Sequence, residues 1–188
     1  AVARAIMALG SSVHQDCAVR GVETEGGRLS AVVTEKGTIR TRLAVLAAGA
    51  WASSFCRQYG IRFPQATIRQ TVLSVTAPSQ EIPSALHTTG ASMTRRFDGS
   101  YTLAISGRGR VDITPQLLRF STQFLPMFQR RWRNLAPGGL EGWQAGHESL
   151  KRWRLDQPTP MERMRILDPS ADASAVALTY KRAVELVP

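Results

Sequence analysis

Histidine and cysteine, the residue types that most often perform chemistry, are scattered along this chain. His14, His87 and His147 lie far from one another and from any carboxylate at a metal-ligand spacing. Cys17 and Cys56 form no Cys-x-x-Cys pair. Structural zinc sites typically take such ligands at short, regular spacings, whereas a site assembled in space from distant residues is the alternative. The sequence therefore predicts no metal site, ordinary core or solvated histidines, and a reducing, cytoplasmic location.

Nucleophile and phosphate-binding motifs do not stand out either. No Gly-x-Ser-x-Gly elbow occurs, so the sequence offers no serine nucleophile of that kind. The glycine-rich stretch SGRGR at residues 106–110 matches neither a Walker A loop nor a Gly-x-Gly-x-x-Gly fingerprint. We predict a turn there.

Two clusters mix arginine with tryptophan, at residues 130–133 (RRWR) and 151–154 (KRWR). Basic residues between aromatic ones can bind nucleic acid by pairing with phosphates and stacking on bases. They can also be solvated around a tryptophan that anchors its segment to the core. We favour the core anchor, because Trp132 falls on an apolar stripe and no nucleic-acid module is recognisable.

The charge of the chain restricts its partners. It has 24 basic and 14 acidic residues, a net charge of +10, and residues 61–135 alone hold ten basic and three acidic residues. Such a field attracts anions: nucleic acid, a phosphorylated cofactor, anionic lipid or an acidic substrate. Composition alone does not choose among them.

Length and hydropathy exclude other classes. The 188 residues correspond to one ordinary domain or part of one. No apolar run approaches the ~20 residues that a membrane-spanning helix needs, and no signal peptide is visible. The chain begins at Ala1, within a predicted helix, which suggests a fragment.

Short alternating runs with glycine turns between them predict a meander of β-strands in the first sixty residues. The runs lie at 18–24, 29–34 and 38–40, after a helix at 1–9 and a short strand at Val13.

A continuous apolar run follows the meander. Leu43 to Ala48 are typical of a strand buried on both faces of a parallel sheet. Residues 50–59 then predict a helix that Gly60 closes.

The remaining residues predict an antiparallel sheet followed by helices. Strand-like runs lie at 66–76, 93–97 and 101–106, and sequential strands with short connections usually pair. Residues 136–160 are predicted to form loops with short elements, and a final helix is predicted for 171–187.

A helix between these strands and the loops is signalled by Thr114, a capping hydroxyl, and by Pro115 at the first helical position. We expect a kink at Pro126. One apolar stripe follows this helix: Leu117, Ser121, Phe124, Leu125, Phe128 and Trp132.

The predicted fold class is therefore α/β plus α+β. Residues 1–62 have the pattern of the end of a layered α/β unit, and residues 63–188 that of an antiparallel-sheet domain with helices.

The stretch from Gly10 to Gly60 resembles the FAD-dependent oxidoreductases of the D-amino-acid oxidase, glycine oxidase and sarcosine oxidase superfamily. The matching features are the helix before Gly10, Val19 nine residues later, the hairpin series, and the sequence AVLAAGAW at residues 44–51. The resemblance continues more loosely through residues 68–72 and 93–104.

This resemblance implies domains and a cofactor. Residues 1–62 would be the C-terminal part of the FAD-binding, Rossmann-like domain, and residues 63–188 the substrate-binding domain. The expected FAD contacts are Val19, whose backbone passes the adenine, and the turn formed by Ala48, Gly49, Ala50 and Trp51. Glycine lets the backbone approach a ligand, and a helix start at Trp51 offers N–H groups to anionic charge.

The resemblance also implies an activity. It is the oxidation of a small-molecule amine or amino acid by hydride transfer to FAD, with oxygen or a quinone as electron acceptor. His87 falls near the position of a substrate-facing polar aromatic residue, and no catalytic residue can be named. A basic nucleic-acid-binding module that uses the Arg/Trp clusters is the alternative from another class.

The family's Gly-x-Gly-x-x-Gly fingerprint and its closing flavin segment are not in this chain. We therefore expect residues 1–188 alone to hold FAD weakly and to be inactive. We also expect residues 44–48 to expose a sheet edge through which the chain can oligomerise.

Overall fold

The computed structural model describes residues 2–77, 82 and 84–186. Within these residues the helices are α1 (Val2–Ala8), α2 (Ala52–Gln58), α3 (Pro115–Arg119), α4 (Ser121–Arg131), α5 (Glu141–Ala145), α6 (Pro160–Arg163) and α7 (Ala173–Leu186). The strands are β1 (Val19–Glu25), β2 (Arg28–Thr34), β3 (Gly37–Arg40), β4 (Val72–Val75), β5 (Ala85–His87), β6 (Ala91–Arg95), β7 (Tyr101–Ile105), β8 (Gly109–Val111) and β9 (Leu135–Pro137). Both predicted terminal helices are confirmed as α1 and α7, although their predicted ends at Ala1 and Val187 lie outside the described residues. None of the described helices is both long and apolar enough to cross a membrane.

These elements fall into two compact units. The first comprises the described residues up to Phe63 together with Leu150–Leu167, and the second comprises Pro64–Ser149 together with the described residues from Asp168 onward. The first unit is therefore made of two stretches of chain, whereas the sequence placed residues 150–167 with the second domain.

In the first unit, β1, β2 and β3 form the predicted antiparallel meander. In the central strand, β2, Ala31 and Thr34 are buried, whereas every residue of β3 is exposed. The turn between β1 and β2 uses Gly26 and Gly27, both with positive φ. The predicted strand at Val13 does not form.

The apolar run at residues 43–48 is exposed, so its prediction as a strand buried on both faces was wrong for this chain. It belongs to no strand among the described residues, and Leu43 and Val45 are 80% and 87% exposed. A strand buried on both faces needs neighbouring strands and covering helices. The described part of the first unit supplies neither to this run, and the expected exposure of apolar surface at 44–48 is confirmed.

In the second unit, β4, β7, β6 and β5 form an antiparallel sheet in that order. This confirms the predicted sheet. The first strand is shorter than the predicted 66–76, because only β4 forms there. Strand β5 was not predicted from the sequence. The core on one face of the sheet combines these side chains: Leu73, Val75, Ile82, Leu86, Met93, Tyr101, Leu103 and, from α7, Ala183. The short parallel pair β8–β9 carries no periodic signal, because three residues are too few to show one.

The helix predicted to start at Thr114 is confirmed, but it is interrupted earlier than expected. The Thr114 hydroxyl accepts the N–H of Leu117 at 3.0 Å. The break between α3 and α4 falls at Phe120, which leaves the helical conformation at φ −107° and ψ 15° while its ring is buried. Pro126 lies inside α4, which continues through it to Arg131, so the helix does not end there and the kink stays a prediction.

The two Arg/Trp clusters differ in the structure. In the first unit, Trp153 is half-buried and donates its indole N–H to the carbonyl of Arg20 at 2.7 Å, which confirms the core anchor. In the second unit, Trp132 is 64% exposed, so the same interpretation was wrong there. The stripe that contains Trp132 is only partly covered: Leu117, Phe124 and Phe128 are half-buried, whereas Ser121, Leu125 and Trp132 are exposed.

Gly21 provides a test of the packing in the first unit. A Cβ at this position of β1 would overlap the hydroxyl of Tyr59 and the side chain of Leu155. We expect Gly21→Ala to lower the free energy of unfolding by about 1–3 kcal/mol, the usual cost of overpacking, in urea unfolding at pH 7. Gly139→Ala is the control, since a Cβ there meets no described atom within 4 Å. An equal loss in both variants would contradict the prediction.

Candidate functional site

An open, mainly apolar groove of about 1170 Å³ lies in the first unit. Its walls come from residues 14–19, the meander, residues 44–48, α2 and residues 161–166. Three predicted cofactor residues, Val19, Ala48 and Trp51, line this one groove. The other two, Gly49 and Ala50, are in the turn that joins Ala48 to Trp51 and are not among its lining residues. A concave apolar surface of this kind suits a flat aromatic ring.

The turn at residues 48–51 has a different hydrogen-bond pattern from the predicted one. Gly49–Trp51 form a 3₁₀ turn, and Gly49 has a φ of +51°, a conformation that favours glycine. The N–H of Trp51 donates to the carbonyl of Ala48 at 3.0 Å, and that of Ala52 donates to Gly49. These N–H groups were expected to be available to anionic charge. The tight i→i+3 bonds of a 3₁₀ turn use them instead.

Glu35 fixes two walls of the groove. Its Oε1 accepts the N–H of Ala18 at 2.6 Å, and its two oxygens accept guanidinium N–H groups of Arg165 at 2.8 and 2.7 Å. The hydrogen bonds from Arg165, followed by that from Ala18, lower the pKa of Glu35 to about 2. A single ionised carboxylate therefore holds together the loop before β1 and the stretch Leu150–Leu167, which we call the returning segment.

A second ion pair attaches the same returning segment to β1. The guanidinium of Arg20 donates to both oxygens of Glu162 at 3.0 Å, and this hydrogen bonding lowers the pKa of Glu162. Glu162 also accepts the N–H of Thr159 at 2.9 Å and completes the capping box of α6. The strand, the cap and the groove wall are thus connected through one side chain.

His87 lies in the second unit, at the end of β5. It pairs with Ser92 across the sheet, and alternation places it on the face opposite the core cluster. The positions on this opposite face are small or hydroxyl-bearing apart from Val72 and His87: Val72, Ser74, Ala85, His87, Ser92, Thr94, Thr102 and Ala104. His87 is exposed and belongs to a polar, open surface of the sheet.

A buried polar network supports α3 in the second unit. Glu148 is 1% exposed and accepts the N–H of Thr67 at 2.5 Å and the hydroxyl of Thr114, the residue that caps α3. His147 is buried beside it, and burial lowers the pKa of its imidazole, which keeps the ring neutral at pH 7. The expectation of a core histidine is confirmed for His147.

Sequence reasoning missed the far wall of the groove. Met161, Met164 and Arg165 line it, yet they follow β1 by more than a hundred residues. No spacing in the sequence relates them to Val19. One local signal of α6 was present in the sequence: Thr159 as the capping residue, Pro160 at the first helical position and Glu162 to complete a capping box.

Comparison with known proteins assigns the chain to a family. Residues 1–176 match the family described as FAD dependent oxidoreductase. This match covers most of the 188 residues, so the chain belongs to the FAD-dependent oxidoreductase family. The resemblance drawn from residues 10–60 is confirmed, and FAD is the cofactor of this family.

Curated relatives share part of this chain. Glycine oxidase of Pseudomonas putida is 27% identical over 156 residues, which cover 74% of this chain and 43% of that protein. D-amino acid dehydrogenase of Bradyrhizobium diazoefficiens is 30% identical over 126 residues, which cover 65% of this chain and 28% of that protein. The chain spans less than half the length of these relatives. They give the nucleic-acid alternative no support.

Solved structures share its fold. L-amino acid deaminase from Proteus myxofaciens, in complex with anthranilate, matches with a TM-score of 0.85 and 26% identity over 98% of this chain and 41% of that one. The deaminase from Proteus vulgaris matches with a TM-score of 0.77 and 21% identity over 94% and 41%, a likeness of fold alone. The mixture of helices and antiparallel sheet in this chain is therefore shared with part of these two structures.

The Glu35 ion pair predicts a pH dependence. The folded-state pKa lies below the ordinary value of 4.5, so the carboxylate stabilises the fold above that pH, and the stabilisation is lost as pH falls toward 2. We expect Glu35→Gln to be less stable than the wild type at pH 7, with a difference that shrinks on acidification. Urea unfolding from pH 7 down to pH 3 measures it, with Glu25→Gln at the exposed end of β1 as control. A difference that does not change with pH would contradict this prediction.

Proposed function

We propose that the protein containing this chain is an FAD-dependent oxidoreductase that oxidises an amino acid or a related amine. The family match over residues 1–176 carries the proposal. Bound FAD would supply the hydride acceptor for the carbon that bears the amine, and the resulting imine would hydrolyse in water. The residues of this chain bind and orient the cofactor and the substrate.

In this proposal the groove of the first unit receives the adenine side of FAD. Val19 is 38% exposed at the start of β1, so its backbone and side chain are accessible along the groove. The lining is mainly apolar, which fits an aromatic ring. The turn from Ala48 to Trp51 then lies toward the flavin.

Gly49 supports a close approach of the cofactor at this turn. A Cβ at position 49 would meet no described atom within 4 Å, so the protein itself leaves this space open. A ligand that passes the turn would occupy that space, and glycine is the residue that permits such contact.

The substrate in this proposal lies against the polar face of the second unit's sheet. His87 and the hydroxyls of Ser92 and Thr102 can hydrogen-bond a carboxylate or an amine. An imidazole nitrogen can donate or accept a hydrogen bond, which suits the recognition of either group.

The remaining assignments complete the proposal. Residues 1–62, together with the returning segment 150–167, serve the cofactor, and the rest of 63–188 serves the substrate. Oxygen or a quinone accepts the electrons, and the location is the cytoplasm. A second copy of the chain can bind at residues 43–48, and the inactivity of residues 1–188 alone stays a prediction.

Substitution of Gly49 tests the cofactor site. Gly49→Ala places a methyl group in the space assigned to FAD, so we expect the full-length protein to purify with less bound flavin and with a weaker FAD affinity. Flavin absorbance and fluorescence titration measure both quantities. Gly60→Ala is the matched control, because Gly60 also has positive φ and open space at its Cβ.

Both variants should lose a similar stability, about 1–2 kcal/mol, from the left-handed backbone conformation. Only Gly49→Ala should lose flavin. Equal flavin content in the two variants would remove Gly49 from the cofactor site.

Substitution of His87 tests the substrate site. We expect His87→Ala to lower kcat/KM of the full-length enzyme. The expected loss of transition-state stabilisation is about 1–3 kcal/mol, the value of a hydrogen bond to a charged group. Flavin content should stay unchanged, and His87→Asn should recover part of the loss because the amide also hydrogen-bonds. An unchanged kcat/KM in His87→Ala would reject the role.

A further inference from the structure

Helix α4 and the turn after it present apolar side chains that the described residues leave uncovered. None of the eleven residues of α4 is buried. Leu125 and Trp132 are 53% and 64% exposed, and Leu118 at the end of α3 is 56% exposed. These residues belong to, or lie beside, the apolar stripe that was expected to face a core. Phe124, Met127 and Phe128 beside them are half-buried, and large exposed apolar side chains grouped on one segment mark a candidate interaction site.

The same surface is strongly basic. Arg119, Arg130, Arg131 and Arg133 are all exposed. The guanidinium of Arg133 lies 5.3 Å from the centre of the Trp132 ring. Residues 113–140 contain these four arginines and no acidic residue. We call the surface formed by α4 with residues 118–119 and 132–133 the α4 face.

We propose that the α4 face docks on a membrane surface that contains anionic phospholipid. A helix with apolar residues on one side, arginines at its flanks and a tryptophan at its end is suited to the bilayer interface. There, Leu125 and Trp132 enter the boundary between headgroups and acyl chains, and the guanidinium groups pair with lipid phosphates. A helix of eleven residues lies on the membrane, since a span needs about 20.

The chemistry of the α4 face favours lipid over other occupants. Nucleic acid offers phosphates and stacking rings but buries little aliphatic surface, whereas Leu118, Leu125 and Met127 are aliphatic. A second copy of the chain would bring the same four arginines against these ones, and like charges in an interface are costly. Anionic lipid satisfies the apolar and the basic residues together.

Vesicle binding by the full chain tests the proposal. We expect the protein to sediment with vesicles of phosphatidylcholine and phosphatidylglycerol mixed two to one, and at least about tenfold less with phosphatidylcholine alone. Binding should be lost on raising the salt from about 0.1 M to about 1 M, where the Debye length falls from about 10 Å to about 3 Å.

Paired variants locate the binding. Arg130→Glu/Arg131→Glu should weaken partitioning into the mixed vesicles by at least about 25-fold, because each arginine near an anionic surface contributes about fivefold to binding. Arg40→Glu/Arg42→Glu changes the net charge equally at exposed positions of the first unit and should bind like the wild type. Leu125→Ala/Trp132→Ala should bind about tenfold more weakly, whereas Phe97→Ala, a fully exposed aromatic elsewhere, should not.

Circular dichroism of each variant verifies that it is folded. Equal losses in the two charge-reversal variants, or equal binding to neutral and anionic vesicles, would overturn the proposal. It would also be overturned if the α4 variants abolished binding to RNA or DNA while the wild type ignored vesicles. A dimer in light scattering that Leu125→Ala/Trp132→Ala dissolves, without vesicle binding, would assign the face to a second copy.

Discussion

Two carboxylates hold the first unit together. Glu162 binds Arg20 across 142 positions of sequence, and Glu35 binds Arg165 across 130. The Arg20–Glu162 pair is 18% and 9% exposed, so solvent and salt screen it less than an ordinary surface pair. Trp153 and Arg57 add hydrogen bonds between the same two stretches of chain, and the groove has walls on both stretches.

Local patterns predicted the parts of this fold that depend on local physics. The meander, the capped start of α3 and the antiparallel sheet of the second unit each follow from alternation, a capping hydroxyl or short connections. The family was also readable, because its turn sequence at residues 44–51 combines a constrained glycine with an apolar run. Of the five predicted cofactor positions, Val19, Ala48 and Trp51 lie on one groove.

The features that the sequence did not predict depend on distant neighbours. Residues 43–48 have the composition of a central strand, yet composition states what a segment can bury and not what is available to cover it. The same holds for Trp132, whose stripe predicts an amphipathic helix without specifying its partner. The pairing of Glu35 with Arg165 could not be foreseen, because neither residue has a distinctive local context.

The order of the two units along the chain has a consequence for biosynthesis. A ribosome delivers β1–β3 and α2 first, then all of Pro64–Ser149, and only afterwards Glu162 and Arg165. At typical elongation rates, this interval is about 5–20 s. During that time the nascent meander exposes the apolar surface that later lines the groove, which is the kind of surface that chaperones bind. The emergence of Leu167, and not that of Phe63, marks the point at which the first unit can close.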